Sequence, residues 1–377
     1  MSQAELGDGG TRVLMLTADY PPNPWSGIGV AVERQARALA ELGARVQVLV
    51  AAAPGRPLAA PAEAGRLSVH PLSRRRFPVD PRGADVVHVH SLALADLALE
   101  VRRRAGAPLV YTAHSLVEDE LRFGRVDGSL TRSWRAVQAR LFAEADRVVF
   151  LSRAEHAAAL ARYPELEERS GVVANGVPDP DPEPEAPRPE PAMGPVVFAG
   201  RFARTKGMEL LGDAVARVLA RRPARFVVAG GHGDGVGEWV ARDLRRSHRG
   251  ACAVTGWLSR AAVDGLFARA AVVLVPSLYE PFGLVALEAM RAGAPVLAAD
   301  VGGLRDVVTP DSGGRLVRSR DPERWADEVC ALLASPDARR HLRERGPRHV
   351  RAHFGARRSA ERLLQDVYQP VTQMEVR

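Results

Sequence analysis

The sequence predicts an α/β protein built of two doubly wound domains facing across a cleft. Three observations carry that expectation. Short apolar runs alternate with helix-patterned segments along the whole chain, the signature of parallel strands joined by crossover helices. The length, 377 residues, exceeds one ordinary core and suits two. The alternation also breaks once, at Pro178 to Pro195, where eight prolines interleave with Asp179, Asp181, Glu183, Glu185 and Glu190. Such a stretch packs no core and reads as an extended linker. The division is 1–177 for the first domain, 178–195 for the linker, 196–355 for the second domain and 356–377 for a last helix.

In the first domain, strands are expected at Arg12–Thr17, Arg45–Ala51, Leu67–Pro71, Asp85–His90, Pro108–Thr112, Arg147–Leu151 and Gly171–Ala174. Helices fit at Val30–Leu42, Leu92–Arg104, Leu130–Glu144 and Arg153–Tyr163. In the second, strands at Val196–Gly200, Arg225–Gly230, Ala251–Thr255, Ala271–Pro276, Pro295–Ala299 and Arg315–Val317 alternate with helices at Gly207–Arg221, Val236–Arg246, Arg260–Arg269 and Gly283–Ala292. Helices Pro322–Ala334 and Asp337–His349 close it. Ala356–Val367 carries Leu363, Leu364 and Val367, and so needs a surface to cover.

Composition removes several function classes. Apolar residues at 46% and charged residues at 26% exclude a disordered chain. Aromatics at 5% argue against a nucleic-acid reader built on stacked bases. Cys252 and Cys330 are too few for a disulfide framework or a cysteine zinc module. Met1 to Gly10 lacks a basic-then-apolar leader and no apolar run reaches membrane-spanning length, so a cytoplasmic protein without a transmembrane segment is expected. The net charge of +7 raises nucleic acid, an anionic membrane or phosphate-bearing ligands as partners. Of 52 basic residues, however, only Lys206 is lysine. Arginine has filled every generic basic position, so the surviving lysine marks a site that needs a compact ammonium.

Ligands of open α/β sheets bind at the carboxyl ends of strands, where helix N-termini favour anions. The richest such place is Pro276 to Met290. Glu280 lies in the loop before a helix, and Glu288 falls eight residues on, about two turns along the same face. Gly283 lets backbone N–H groups approach a ligand. Two carboxylates beside an anion site suit a nucleoside diphosphate sugar, which has hydroxyls on both sides of its pyrophosphate. The second constellation is Gly200 to Gly207, where Arg201 and Lys206 set a fork and a point charge beside a helix N-terminus. Arg204 reads as a solvated loop arginine.

These residues resemble glycosyltransferase family 4, whose members have the GT-B fold of two Rossmann-like domains with a C-terminal helix crossing back to the first. Glu280 to Ala289 matches the family's E-P-F-G-x-x-x-x-E-A signature without a gap, and Arg201 with Lys206 matches its Arg-x4-Lys pair. The resemblance implies a retaining transfer from a nucleotide sugar, with UDP the default base and N-acetylglucosamine or glucose the commonest sugar. It implies that Arg201 and Lys206 grip the pyrophosphate, Glu280 the transferred sugar and Glu288 the ribose, with Phe282, Gly283 and Leu284 around the donor. Gly231, Trp257 and Leu258 would lie at the base. Gly27 and Gly29, in Ser26-Gly27-Ile28-Gly29, match the loop near the donor phosphates, and His114 the strand-end histidine facing the sugar. With two fixed cations at the leaving phosphate, no metal or other cofactor is expected.

His88 and His90 begin like an H-x-H metal site, but no further ligands follow at suitable spacing, and they read as a strand-end pair lining the cleft. For the acceptor, Arg74 to Arg76 and Arg102 to Arg104 would attract a phosphorylated lipid or membrane surface, whereas Asp19, Glu118, Asp119 and His90 would suit a small cationic acceptor. The preferred reading is a small polar acceptor such as an aminocyclitol, in natural-product assembly. Its rivals are a lipid-linked or phosphorylated acceptor, a nucleotide-sugar epimerase, and a basic nucleic-acid or membrane-binding protein.

Overall fold

The structure, a computed structural model, describes residues 10–21, 26–51, 62–72, 78–124, 128–179 and 194–373. Arg74 to Arg76, the first nine residues and all but the ends of Pro178–Pro195 lie outside them. The chain forms two compact units, residues 1–117, 127–178 and 355–377 in one, and residues 118–126 and 179–354 in the other.

The first unit contains β1 (Arg12–Thr17), α1 (Gly27–Glu41), β2 (Arg45–Ala51), β3 (Ala62–Ala64), β4 (Leu67–Leu72), β5 (Val86–Val89), α2 (Ala95–Ala105) and β6 (Leu109–Ala113). After α3 (Val117–Gly124), most of which belongs to the second unit, come α4 (Gly128–Glu144), β7 (Arg147–Phe150), α5 (Arg153–Leu160) and β8 (Ser170–Val172). The strands form one sheet in the order β3-β4-β2-β1-β5-β6-β7-β8, parallel except for β3 against β4. Alternate residues of these Val- and Leu-rich strands feed two cores, as a sheet covered on both faces requires. Leu14, Leu16, Val87, Val89, Leu109 and Tyr111 pack with α2 and with Leu141 and Phe142 of α4. Val13, Met15, Val48, Val86 and Val110 pack with Val32, Ala36 and Leu39 of α1.

The second face also needs the end of the chain. The helix at Ala356–Arg362 continues through a π turn at Leu363–Tyr368 into a final helical stretch at Gln369–Gln373, and Ala360, Leu363, Val367, Tyr368 and Val371 all enter that core. The segment is tied in at its start, where Ala356 N–H donates to the Val177 carbonyl at 2.9 Å.

The second unit runs β9 (Val196–Arg201), α6 (Met208–Arg221), β10 (Phe226–Gly231), α7 (Gly235–Ser247), β11 (Cys252–Val254), α8 (Arg260–Arg269), β12 (Val272–Val275), α9 (Leu284–Arg291), β13 (Val296–Ala299), α10 (Leu304–Val307), β14 (Gly314–Val317), α11 (Pro322–Ala334) and α12 (Pro336–His353). Its six-stranded parallel sheet has the order β11-β10-β9-β12-β13-β14. The order reverses between β9 and β12, so the loops after those two strands lie side by side at the switch point where such sheets bind ligands.

Two differences from the sequence reading have local causes. α1 begins at Gly27 rather than Val30, because the Ser26 hydroxyl accepts from Ile28 N–H and caps the helix. α3 was not expected. Glu118, Asp119 and Glu120 fill its first turn, where the helix dipole favours acids.

Candidate functional site

In the second unit, the loop after β9 turns through a single 3₁₀ turn at Arg204–Lys206 and stops at Gly207, φ +74°. A side chain at Gly207 would put its Cβ 1.9 Å from the Pro276 carbonyl, so glycine is what lets the loops after β9 and β12 touch. Leu278 N–H donates to the Thr205 carbonyl at 2.8 Å across the same junction. The result is a short charged contact. Lys206 Nζ donates to Glu280 Oε2 at 2.8 Å, and the Ser277 hydroxyl donates to the same oxygen at 3.1 Å. Arg320, just past β14, donates to the Pro276 carbonyl at 3.0 Å and the Ser277 carbonyl at 2.7 Å, fixing the strand side of the Glu280 loop. Gly303 N–H holds the other side through the Glu280 carbonyl at 2.9 Å.

Gly283, at φ +107°, turns the chain into α9 and leaves the helix N-terminus without a side-chain cap. Arg201 is exposed and has no carboxylate within ion-pair distance among the described residues. Arg204 instead pairs with Glu209 at 3.5 Å. Phe282 is buried and packs edge-on against Phe354, so its side chain belongs to the core, while Leu284 is partly exposed.

Glu280 and Glu288 do not share a helix face. α9 starts at Leu284, which leaves Glu280 in the loop and Glu288 inside the helix. Glu288 is buried and accepts from Arg260 at 2.6 Å, while Arg291 of the same helix pairs with Asp264 at 3.0 Å. Burial raises the Glu288 carboxyl above its ordinary value, and Asp264 adds to this, against the pull of Arg260 and Arg291. Trp257 is 47% exposed and stacks on His232, with Gly231 close beneath its indole nitrogen and Leu258 partly buried next to it.

In the first unit the strand ends carry neutral and capping groups. Asp19 Oδ2 accepts from Ser26 N–H at 2.9 Å, from the Ser26 hydroxyl at 2.5 Å and from Gly29 N–H at 3.3 Å. A Cβ on Gly29 would meet Asp19 at 2.8 Å, so this glycine serves the carboxylate that closes the start of α1, while Gly27 is exposed. Asp19 was expected to bind an acceptor. It is 4% exposed and its carboxylate caps a helix instead.

His90 needs the same correction, being 3% exposed with its Nδ1 bonded to His114 Nε2 at 3.2 Å. His88 is fully enclosed between Tyr368 and Thr112. Burial pushes His88 down to about 3 and His114 down to about 4. The loop from His114 into α3 is held by Gln138, which accepts from Val117 N–H and donates to the Ser115 carbonyl, and by Glu155, which accepts from Leu116 N–H. Asp119 is buried, and residues 118–126 group with the second unit while His114 belongs to the first. Of the two arginine runs, Arg102 pairs with Asp146 and Arg104 with Glu100. Among the described residues no group of three His, Cys, Asp or Glu side chains is arranged to hold a metal ion.

Comparison with known proteins bears on this geometry. The family profile for glycosyl transferases group 1 matches residues 189–349, and that for glycosyltransferase family 4 matches residues 25–179. The D-inositol 3-phosphate glycosyltransferase 1 of Catenulispora acidiphila is 32% identical over 314 residues, covering 75% of this chain and 72% of that protein. The chain belongs to glycosyltransferase family 4. A second family member, the D-inositol 3-phosphate glycosyltransferase of Segniliparus rotundus, is 33% identical over 293 residues, which span 74% of this chain but only 65% of that relative. The fold is the GT-B fold of the family. Sucrose-phosphate synthase from Thermosynechococcus elongatus aligns with a TM-score of 0.76 at 23% identity, covering 96% of this chain and 99% of that one. Anabaena HepE in complex with UDP and glucose aligns at 0.74 and 18% identity, covering 95% and 99%. Among the described residues no helix is long and apolar enough to cross a membrane.

Proposed function

We propose that the protein is a retaining glycosyltransferase that moves a sugar from a nucleoside diphosphate sugar, with UDP as the nucleotide, to a hydroxyl of a small cyclitol-class acceptor. The observation that carries this reading is the Lys206–Glu280 contact at the β9/β12 switch point, 2.8 Å long and set beside the uncapped start of α9. Lys206, Arg201 and the α9 N-terminus form a cationic seat for a diphosphate. Glu280, already fixed by Ser277 and Lys206, is a hydroxyl acceptor for the transferred sugar, and Glu288 for the ribose. Trp257 beside Gly231 offers a flat apolar surface to the base.

The reaction proposed is a front-face displacement. The bond from the anomeric carbon to the leaving phosphate breaks, the acceptor oxygen bonds the same carbon on the same face, and a phosphate oxygen takes the acceptor's proton. Charge gathering on the diphosphate is met by Arg201, Lys206 and the helix dipole, so the transfer needs no divalent metal.

For the acceptor, the names of the two relatives support a cyclitol bearing a phosphate. The aminocyclitol reading rested on Glu118 and Asp119 together with Asp19 and His90, and of these Asp19 is engaged in the helix cap. The test is turnover of UDP-glucose and UDP-N-acetylglucosamine with inositol 3-phosphate and with an aminocyclitol, each with and without EDTA. Transfer with retained anomeric configuration in EDTA supports the reading. Strict dependence on a divalent cation overturns its metal-free part, and failure of every nucleotide sugar to bind overturns the whole.

A further inference from the structure

We propose that His90 is a positioning residue that fixes the tautomer of His114, so that His114 offers its ligand a neutral N–H at Nδ1 and not a basic nitrogen. The proposal deepens the function proposed above by assigning the hydrogen-bonding sense of its first-unit contact. It rests on four imidazole nitrogens.

His88 and His90 lie two residues apart on β5 and its end, on one face, with ring centroids 4.1 Å apart. Both nitrogens of His88 face hydroxyls, Nδ1 that of Tyr368 at 2.6 Å and Nε2 that of Thr112 at 2.7 Å. Hydroxyls either donate or accept, so His88 is satisfied in both tautomers.

His90 differs. Its Nδ1 meets His114 Nε2 at 3.2 Å, and its Nε2 is buried without a hydrogen-bond partner among the described residues. One proton lies between the two rings. If His114 supplied it from Nε2, the proton of neutral His90 would sit on Nε2, a buried N–H with nothing to receive it. If His90 supplies it from Nδ1, only a bare lone pair is left at His90 Nε2. Orphaned buried N–H groups are the rarer and costlier case. His90 Nδ1–H therefore donates, His114 Nε2 accepts, and the His114 proton moves to Nδ1.

Burial, which holds both rings neutral near pH 7, is consistent with this arrangement. His114 is partly exposed and its Nδ1 has no partner among the described residues, so that N–H is available to an oxygen of the ligand. A phosphate or sugar hydroxyl oxygen fits it; a group that must lose a proton does not.

The experiment is two-bond ¹H–¹⁵N NMR of the histidine rings in the full-length protein at pH 7.5 without ligand, with the His114 signals identified by their loss in His114→Gln. The expected pattern is a neutral His114 protonated at Nδ1. A His114 protonated at Nε2, or charged, overturns the proposal.

Two variants extend the test to turnover. His90→Asn keeps an amide N–H near the Nδ1 position, whereas His90→Leu removes the donor. His90→Leu should release His114 to the Nε2–H form and lower kcat about 10–100-fold with little change in donor KM, the scale seen when the partner orienting a histidine is lost. His90→Asn should restore most of it. Equal loss in both variants with an unchanged His114 tautomer overturns the proposal. The tautomer is read without substrate, so it stands or falls separately from the transferase reading.

Discussion

The two units handle their buried and half-buried polar groups in opposite ways. In the second, charge is kept and paired: Lys206 with Glu280, Arg260 with Glu288, Arg291 with Asp264. In the first, His88, His90 and His114 are driven neutral by burial and linked through rings and hydroxyls. Lys206 sits on a short braced turn, whereas Arg260 opens α8 and Arg291 closes α9, so the cations of the second unit are held by rigid elements that would suit the diphosphate proposed above. The neutral ring nitrogens of the first unit instead satisfy one another and the Tyr368 and Thr112 hydroxyls without adding charge.

The sharpest way to break this comparison is to remove its central cation. Lys206→Ala should lower kcat roughly 10²–10³-fold, the usual cost of losing one group that stabilises developing charge. Steady-state turnover checks it, and near-normal kcat would show that Glu280 needs no ammonium beside it. Arg260→Ala acts one step out. It leaves buried Glu288 without its 2.6 Å partner and should weaken nucleotide affinity roughly tenfold, read by calorimetry with UDP.

Acid and base should then act on different groups, the buried histidines, among them His349 of the second unit, against Glu288. The histidines have lowered folded values, so the unfolded chain binds more protons below 6.5, and the first unit loses stability as pH falls from there toward 4. Glu288 is raised above 4.5, so its unit loses stability as pH rises from that value through its folded one. Glu288→Gln removes the second slope alone. Relative to wild type it should gain about 2–4 °C in Tm between pH 5 and pH 8, a shift worth about 1 kcal/mol in a domain of this size. The smallest effect is expected at Arg204, whose side chain pairs with a half-exposed Glu209. Arg204→Ala should change kcat/KM less than about twofold, since surface pairs contribute little.

What the sequence made legible follows the same division. The alternation of strands and helices, and the covering role of the last helix, were readable because apolar periodicity reports burial directly. Lys206 stood out because it is the one lysine in an arginine-rich chain. Arg260 and Arg320 were hidden for the same reason: where nearly every cation is arginine, residue type no longer separates a buried clamp from a solvated surface. Ser277 and Gln138 act on a carboxylate and on backbone groups that only the folded loops bring near. Asp19 was misread because its capping partners follow seven and ten residues later, across a loop, where no short motif announces them.

The closing segment has a consequence for how the chain is made. One face of the first sheet is completed by Ala360, Leu363, Val367, Tyr368 and Val371, which a ribosome adds only after the entire second unit. Through most of synthesis Val13, Met15 and Val48 therefore wait with part of their cover still unwritten, while the second unit already has all its strands. The half of the protein that begins first is the half that finishes last, and a chaperone would meet it with that face only partly covered, by α1.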